Sequence, residues 1–101
     1  MSYKGSDLSP QFKTWFRKEK KRITEILESK GCTNVQLDYG FYYFSGFFTS
    51  STRQIYYISC SDVRHFPDHK YMYRTAKHYK DWTGGSNQFI NKNELENIKL
   101  L

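Results

Sequence analysis

Nine of the chain's nineteen aromatic residues lie from Tyr39 to Tyr57, and eight of them are in the segments GFYYFSGFF and QIYYIS. Aromatic and β-branched residues at this density are typical of strands, where their side chains pack on a pleated surface. We predict an antiparallel meander of three strands in this region, with a turn or bulge at Gly40, a kink at Gly46 and a polar turn over residues 49–52. Because a single helix can cover only one face of such a sheet, the other face either meets the C-terminal segment or stays partly exposed.

The length of 101 residues is enough for one core and leaves no room for a second. We expect a single domain over residues 1–101, with residues 1–8 as a flexible N-terminal arm. No apolar run approaches the ~20 residues that span a bilayer, and the first residues lack the apolar stretch of a secretory signal, so we expect a cytoplasmic protein with no membrane contact. Cys32 and Cys60 are too few for a disulfide scaffold and are expected to be buried thiols.

The clearest local pattern is a first helix over residues 10–30. Ser9 and Pro10 form an N-cap and first-turn pair, and Gly31 stands where a left-handed residue ends a helix. The apolar residues between them recur at helical spacing and form one stripe; they are Phe12, Trp15, Phe16, Ile23, Ile26 and Leu27.

The other side of this helix is basic. Its cations are Lys13, Arg17, Lys18 and Lys21, with Lys20 and Arg22 on the flanks. They precede Glu25 and Glu28, an order that the helix dipole disfavours, so local stability does not explain it. Two interpretations stay open: a solvated face with Lys21 and Glu25 as an i,i+4 pair, or a face that contacts phosphates.

The C-terminal third predicts a second helix from Tyr71 to Thr83. Met72, Ala76, Tyr79 and Trp82 follow helical spacing, and Gly84 with Gly85 would end the helix. Off that stripe lie further cations, Arg74, Lys77 and Lys80. Asn91 with Glu94 has the spacing of a capping box, with Ile90 and Leu95 as a hydrophobic staple, which predicts a short terminal helix. The predicted fold is α+β: an N-terminal amphipathic helix, a three-stranded antiparallel meander, a C-terminal helix and a short terminal helix.

Metal binding and hydrolysis find little support in the residues. Possible metal ligands crowd one segment, namely Cys60, Asp62, His65, Asp68 and His69. They lack zinc spacing, and Pro67 opposes a shared helical face for the two histidines. No nucleophile-elbow pattern occurs either. We therefore expect no metal, no cofactor and no catalytic residues.

One segment resembles a nuclease family. Gly40-Phe41-Tyr42, followed by Tyr57-Ile58-Ser59 and then Arg64, resembles the start of a GIY-YIG nuclease, with Ser59 where that family has glycine. The resemblance implies phosphodiester chemistry by a tyrosine, an arginine and a metal-binding glutamate. On that reading the candidates are Tyr42, Arg64 and Glu94.

The predicted order of helix, three strands and helix is also similar to the double-stranded-RNA-binding domain. That family places lysines at the start of its last helix, where this chain has Arg74-Thr75-Ala76-Lys77. The similarity implies nucleic-acid binding through fold analogy alone.

With sixteen Lys and Arg against ten Asp and Glu, the chain has a formal net charge of +6 and should be drawn to polyanions. The preferred hypothesis is a non-enzymatic nucleic-acid-binding module. Its predicted phosphate contacts are Lys13, Arg17, Lys18, Lys20, Lys21, Arg74, Lys77 and Lys80. If their strand face is open, bases would stack on Tyr42, Phe44 and Tyr56. The alternatives are a phage or mobile-element inhibitor or adaptor that binds a host protein through exposed aromatics, and the GIY-YIG-like nuclease.

Overall fold

A computed structural model describes residues 10–40, 42–60 and 70–100 of the chain. One long helix, α1 (Pro10–Ser29), is followed by the strands β1 (Thr33–Tyr39), β2 (Phe44–Thr49), β3 (Ile55–Cys60), β4 (Lys70–Ala76) and β5 (Gln88–Asn91), and by a 3-10 helix at Lys92–Asn97. The strands form one antiparallel sheet in the order β1-β2-β3-β4-β5. The α+β class is confirmed. The predicted arm, residues 1–8, lies outside the described residues.

The first helix forms as its local signals predict. It ends in a Schellman motif, in which the Gly31 N–H donates to the Glu28 carbonyl and the Cys32 N–H donates to the Leu27 carbonyl, both at 3.0 Å. Gly31 has a φ of +85°, which a residue with a Cβ rarely adopts. The motif turns the chain directly from α1 into β1.

The sheet has five strands where the sequence predicts three. The predicted meander is present as β1, β2 and β3, with a turn at Gly40, whose N–H donates to the Tyr43 carbonyl, and a turn after Thr49. Gly46 is paired within β2, opposite Leu37 and Ile58, and the bulge lies in β1 between Thr33 and Gln36. The extra strands are β4 and β5.

The predicted C-terminal helix is wrong. Residues 70–76 form β4, in which Tyr71 and Tyr73 alternate with more exposed residues and pair with Cys60 and Ile58 of β3. The helical spacing of Met72 and Ala76 also fits a strand, because residues four apart lie on one face in either structure. Pairing with β3 buries the two tyrosines, and that long-range gain decides the outcome. Without this helix, the similarity to the double-stranded-RNA-binding domain loses its structural basis.

The terminal 3-10 helix corresponds to the predicted short helix. Asn91 occupies its N-cap position but makes no side-chain capping hydrogen bond, so the predicted capping box does not form. Leu95 and Ile98 are buried in the core and Ile90 packs against it. Burial of these apolar side chains holds the segment in place.

The core lies between α1 and one face of the sheet. Phe16 of α1 lies 5.9 Å from Phe44 and 5.1 Å from Tyr39, measured between ring centroids. Beneath them, Phe48, Ile58 and other alternate strand residues are fully buried. The helix therefore covers one face of the sheet and turns its basic side away from it.

Candidate functional site

The basic side of α1 is an exposed surface. We call the set Lys13, Arg17, Lys18, Lys20 and Lys21 the cationic face; Lys13 is half-buried and the other four are exposed. The apolar stripe holds the helix on the core through Phe12, Phe16, Ile23 and Leu27, which are buried. The cations therefore project from a rigid, anchored helix.

Among the described residues, no acidic side chain forms an ion pair with the cationic face. Within residues 10–40, 42–60 and 70–100, the single ion pair joins Arg22 to Glu19. The i,i+4 pair predicted between Lys21 and Glu25 does not form among the described residues. The solvated-face interpretation therefore lacks its predicted charge pair, and neither interpretation of the cationic face is decided by the ion pairs alone.

The sheet face opposite α1 has a different character. Strand alternation and the registers of the four strand pairs place Phe47, Tyr57, Arg74 and Met72 on this side, which we call the open face, together with Gln36, Ser45, Ser59 and Phe89. Phe47 and Tyr57 are direct cross-strand partners, with ring centroids 5.3 Å apart. An aromatic pair thus lies at the centre of this face.

The loop after β4 covers part of the open face. Trp82 lies against Phe47 and Tyr57, at 5.3 and 5.8 Å between ring centroids, and Tyr79 lies 5.8 Å from Phe47. The Tyr79 hydroxyl donates to the Asn34 carbonyl at 2.8 Å. We call Phe47, Tyr57, Tyr79 and Trp82 the aromatic cluster.

Asp81 shapes this loop. Its carboxylate accepts hydrogen bonds from the Lys77 N–H at 2.9 Å and from the Thr83 N–H and hydroxyl, each at 3.0 Å. These bonds, first the one from Lys77, lower the pKa of Asp81 to about 2. The Gly85 N–H then donates to the Thr75 carbonyl and returns the loop to β4. The aspartate therefore fixes the turn from which Trp82 projects.

Arg74 contacts two members of the aromatic cluster, Tyr57 and Trp82. Its guanidinium carbon lies 4.5 Å from the Tyr57 ring centroid, and its terminal nitrogens donate to the Trp82 carbonyl at 2.6 Å and to Asn87 Oδ1 at 3.2 Å. Two of its donors are therefore used inside the protein. Arg74, which the sequence predicts as a phosphate contact, lies on the opposite side of the sheet from the cationic face.

The structure divides the predicted phosphate contacts between two surfaces. Arg74 lies on the open face and the α1 cations lie across the sheet from it, while Lys77 and Lys80 are exposed in the loop that carries Trp82. Sequence reasoning placed all of them on helices, and only the tertiary arrangement separates them.

The predicted stacking residues lie on the covered side of the sheet. Phe44 and Tyr56 are 0% and 3% exposed beneath α1, so the open strand face on which their stacking depended is not found there. Tyr42 lies in the β1–β2 loop, half-buried, with its ring 5.0 Å from Phe12. Exposed rings occur instead at Trp82 and Phe89, which are 59% and 64% exposed.

Trp82 had a sequence signal that the helical spacing concealed. The segment DWTGGSN, residues 81–87, combines an aspartate two residues before a threonine with a glycine pair. Such a composition favours a turn closed by the aspartate side chain over a helix. Phe89 had no comparable signal, because its exposure depends on which face of β5 meets the core.

A partly buried polar junction joins α1 to β4. Arg22 donates to the Tyr71 hydroxyl at 2.8 Å and to Glu19 at 2.6 Å, and Tyr71 is fully buried. Burial, and then the nearby Glu19 carboxylate, raises the pKa of Cys60 to about 12 and also raises the pKa of Tyr71. Cys60 is therefore a protonated, unreactive thiol at neutral pH, and Cys32 is buried too.

Some of the residues implied by the nuclease and metal-binding hypotheses lie outside the described residues. Of the GIY-YIG candidates, Tyr42 lies in a loop and Glu94 is exposed on the 3-10 helix, while Arg64 lies outside the described residues. Asp62, His65, Asp68 and His69 also lie outside them. Among the described residues, no three His, Cys, Asp or Glu side chains group as metal ligands. In that same part of the chain, no helix has the length and apolarity to cross a membrane.

Comparison of the chain with protein-family models, with curated protein sequences and with solved structures finds no match. What the protein binds is therefore inferred from its own surfaces.

Proposed function

We propose that the protein is a non-enzymatic nucleic-acid-binding module of the cytoplasm that holds phosphates with the cationic face of α1. The observation that carries this proposal is the set of five cations between Lys13 and Lys21, four of them exposed and none of them ion-paired within the described residues. Unpaired surface cations lose no internal partner when an anion approaches, so their full attraction is available for binding.

The dimensions of the helix support the proposal. From Lys13 to Lys21 the helix rises about 12 Å, at about 1.5 Å per residue. Over that length a duplex presents about seven phosphate charges, at one per ~1.7 Å. The phosphates along this length are therefore at least as many as the five cations, and the apolar stripe anchors the helix that carries them.

The test is a fluorescence-anisotropy titration of labelled 20-nucleotide single strands and duplexes from 50 to 300 mM salt. With four to five phosphate contacts, the slope of log affinity against log salt for duplex should be about −4. The double variant Lys18→Glu, Lys21→Glu should reduce that slope by about 2 and weaken binding at every salt concentration.

The matched control is Arg53→Glu, Lys99→Glu, which makes the same change in net charge at exposed residues outside α1. This control variant should retain the wild-type slope of log affinity against log salt. An equal loss in both variants would mean that only net charge matters, and unchanged binding in the α1 variant would reject the proposal. If no oligonucleotide binds at low salt, a host-protein partner becomes the leading hypothesis. Such a complex, anchored by aromatic side chains, should depend only weakly on salt.

A further inference from the structure

Two large aromatic rings remain exposed on the open face. Trp82 is 59% exposed and Phe89 is 64% exposed, although the face as a whole carries a packed aromatic pair at its centre. Trp82 stands over β2 and β3, and Phe89 is the β5 partner of Met72 on β4. Tyr57 on β3 and Phe89 on β5 are two strands apart and offset by two residues along the strands, which together is about 12 Å. The two rings therefore flank one shallow surface.

The Trp82 ring is held in position before any ligand arrives, and strand pairing holds the backbone that carries the Phe89 ring. Trp82 packs on two rings of the open face, its carbonyl accepts a hydrogen bond from Arg74, and Asp81 closes the turn on either side of it. Phe89 stands on a paired strand. A ring that is packed like that of Trp82 loses little conformational entropy when it stacks on a flat ligand.

Cations outnumber carboxylates around the rings, where the Asp81 carboxylate closes the turn that carries Trp82. Lys70 is exposed and lies on the same face of β4 as Met72 and Arg74, and Lys77 and Lys80 are exposed in the same loop as Trp82. Among the described strand residues of the open face, Asp38 is the one acidic side chain, and it lies on β1 at the far edge from β5. The half of the open face that carries Trp82 and Phe89 therefore complements a polyanion.

We propose that the open face binds single-stranded nucleic acid, with bases stacked on Trp82 and Phe89 and phosphates held by Lys70, Lys77 and Lys80. Exposed rings beside cations are the combination that binds unpaired strands, because every base has a face that can stack. A duplex keeps its bases stacked on each other and cannot use the rings. The inference builds on the proposed function by naming the single strand as the ligand, but it concerns the opposite side of the sheet.

The test compares Trp82→Leu and Phe89→Leu with wild type for binding of (dT)12, (U)12 and a 12-base-pair duplex. Leucine retains apolar contact area but has no ring face. Each variant should weaken single-strand binding by about 5- to 150-fold, the range measured for loss of one stacked base. Duplex affinity should stay within about twofold. Tyr39→Leu is the matched control, since Tyr39 is also exposed but lies on the helix side of the sheet, and it should bind single strands like wild type.

A direct readout comes from Trp15→Phe, which leaves Trp82 as the one tryptophan of the chain. Single strands should quench its fluorescence and duplex should not. Unchanged Trp82 fluorescence on saturation with either single strand, or single-strand affinity that both leucine variants retain, would overturn the inference. So would a dimer seen by light scattering that Trp82→Leu disperses, because the face would then belong to a second copy of the chain.

The two proposals fail in different ways. If the α1 charge reversal leaves binding intact while the leucine variants lose single strands, the cationic face is rejected and the open face is supported. If the α1 charge reversal abolishes binding of both forms while the leucine variants bind like wild type, the open face is rejected. A wild-type chain that binds no oligonucleotide at low salt rejects both.

Discussion

Removing the Tyr71 hydroxyl tests how α1 is held on the sheet. Tyr71 is fully buried, and its hydroxyl accepts a hydrogen bond from the Arg22 guanidinium at 2.8 Å while Glu19 accepts one from the hydroxyl. Both partners are charged, and Arg22 also binds Glu19. The substitution Tyr71→Phe deletes one oxygen atom and leaves the aromatic packing on Phe44, at 5.6 Å, in place.

The expected cost follows from these partners. A hydrogen bond to a charged group contributes about 1.5–3 kcal/mol, and the loss leaves two charged groups short of a partner. The Arg22 side chain is 40% exposed and can regain water, which favours the lower half of the range. We expect the free energy of unfolding to fall by about 2 kcal/mol. For a domain of this size, that loss lowers Tm by about 8–16 °C.

The assay is guanidinium chloride unfolding followed by circular dichroism, with Tyr73→Phe as the control. Tyr73 lies two residues along β4 on the same face, is 6% exposed, and makes no hydrogen bond through its hydroxyl within the described residues. Loss of the Tyr73 hydroxyl should change the free energy of unfolding by less than about 0.5 kcal/mol. Equal effects of the two substitutions would refute the role of the Arg22–Tyr71–Glu19 junction. So would a Tyr71→Phe protein as stable as wild type.

Two further predictions concern the sheet and its loop. Gly46→Ala would put a Cβ 1.9 Å from the Gln36 carbonyl oxygen, so β1 must move. Chemical denaturation should show that the free energy of unfolding falls by about 3 kcal/mol, relative to a Ser45→Ala control. A loss below about 1 kcal/mol would contradict the close approach of β1 and β2. Because hydrogen bonds lower the pKa of Asp81 to about 2, its carboxylate stabilises the fold fully above about pH 4 and progressively less as the pH falls toward 2. The Tm difference between wild type and Asp81→Asn, measured from pH 6 to pH 2, should therefore shrink toward low pH, and a difference independent of pH would reject this assignment.

Local patterns were enough to predict α1 and the first three strands. The apolar stripe, Pro10 in the first turn and Gly31 after the end all act within a few residues of one another, so the helix can be read without knowing what it packs on. The same holds for the turns at Gly40 and after Thr49. These elements form where the sequence predicts them.

Local patterns were misleading where the helical and strand periodicities place the same residues on one face. Met72 and Ala76 suit one face of a helix and one face of a strand equally, and the choice depended on Cys60 and Ile58, which pair with Tyr71 and Tyr73 from a different part of the chain. These partners are 11 and 15 positions apart in the chain, so a window of ten residues does not contain both members of a pair. The sequence therefore predicts Arg74 on a helix, whereas it lies on the open face of the sheet.

The sequence by itself determined a basic helix, an aromatic-rich sheet and an excess of positive charge. Only the tertiary structure decided which rings are available to a ligand. Phe47 and Phe48 are neighbours in the chain, yet they lie on opposite faces of β2, and α1 packs on the face of Phe48. Because side chains alternate along a strand and both parities are aromatic here, the docking of α1 covers Phe44 and Tyr56. It leaves Trp82 and Phe89 in contact with solvent.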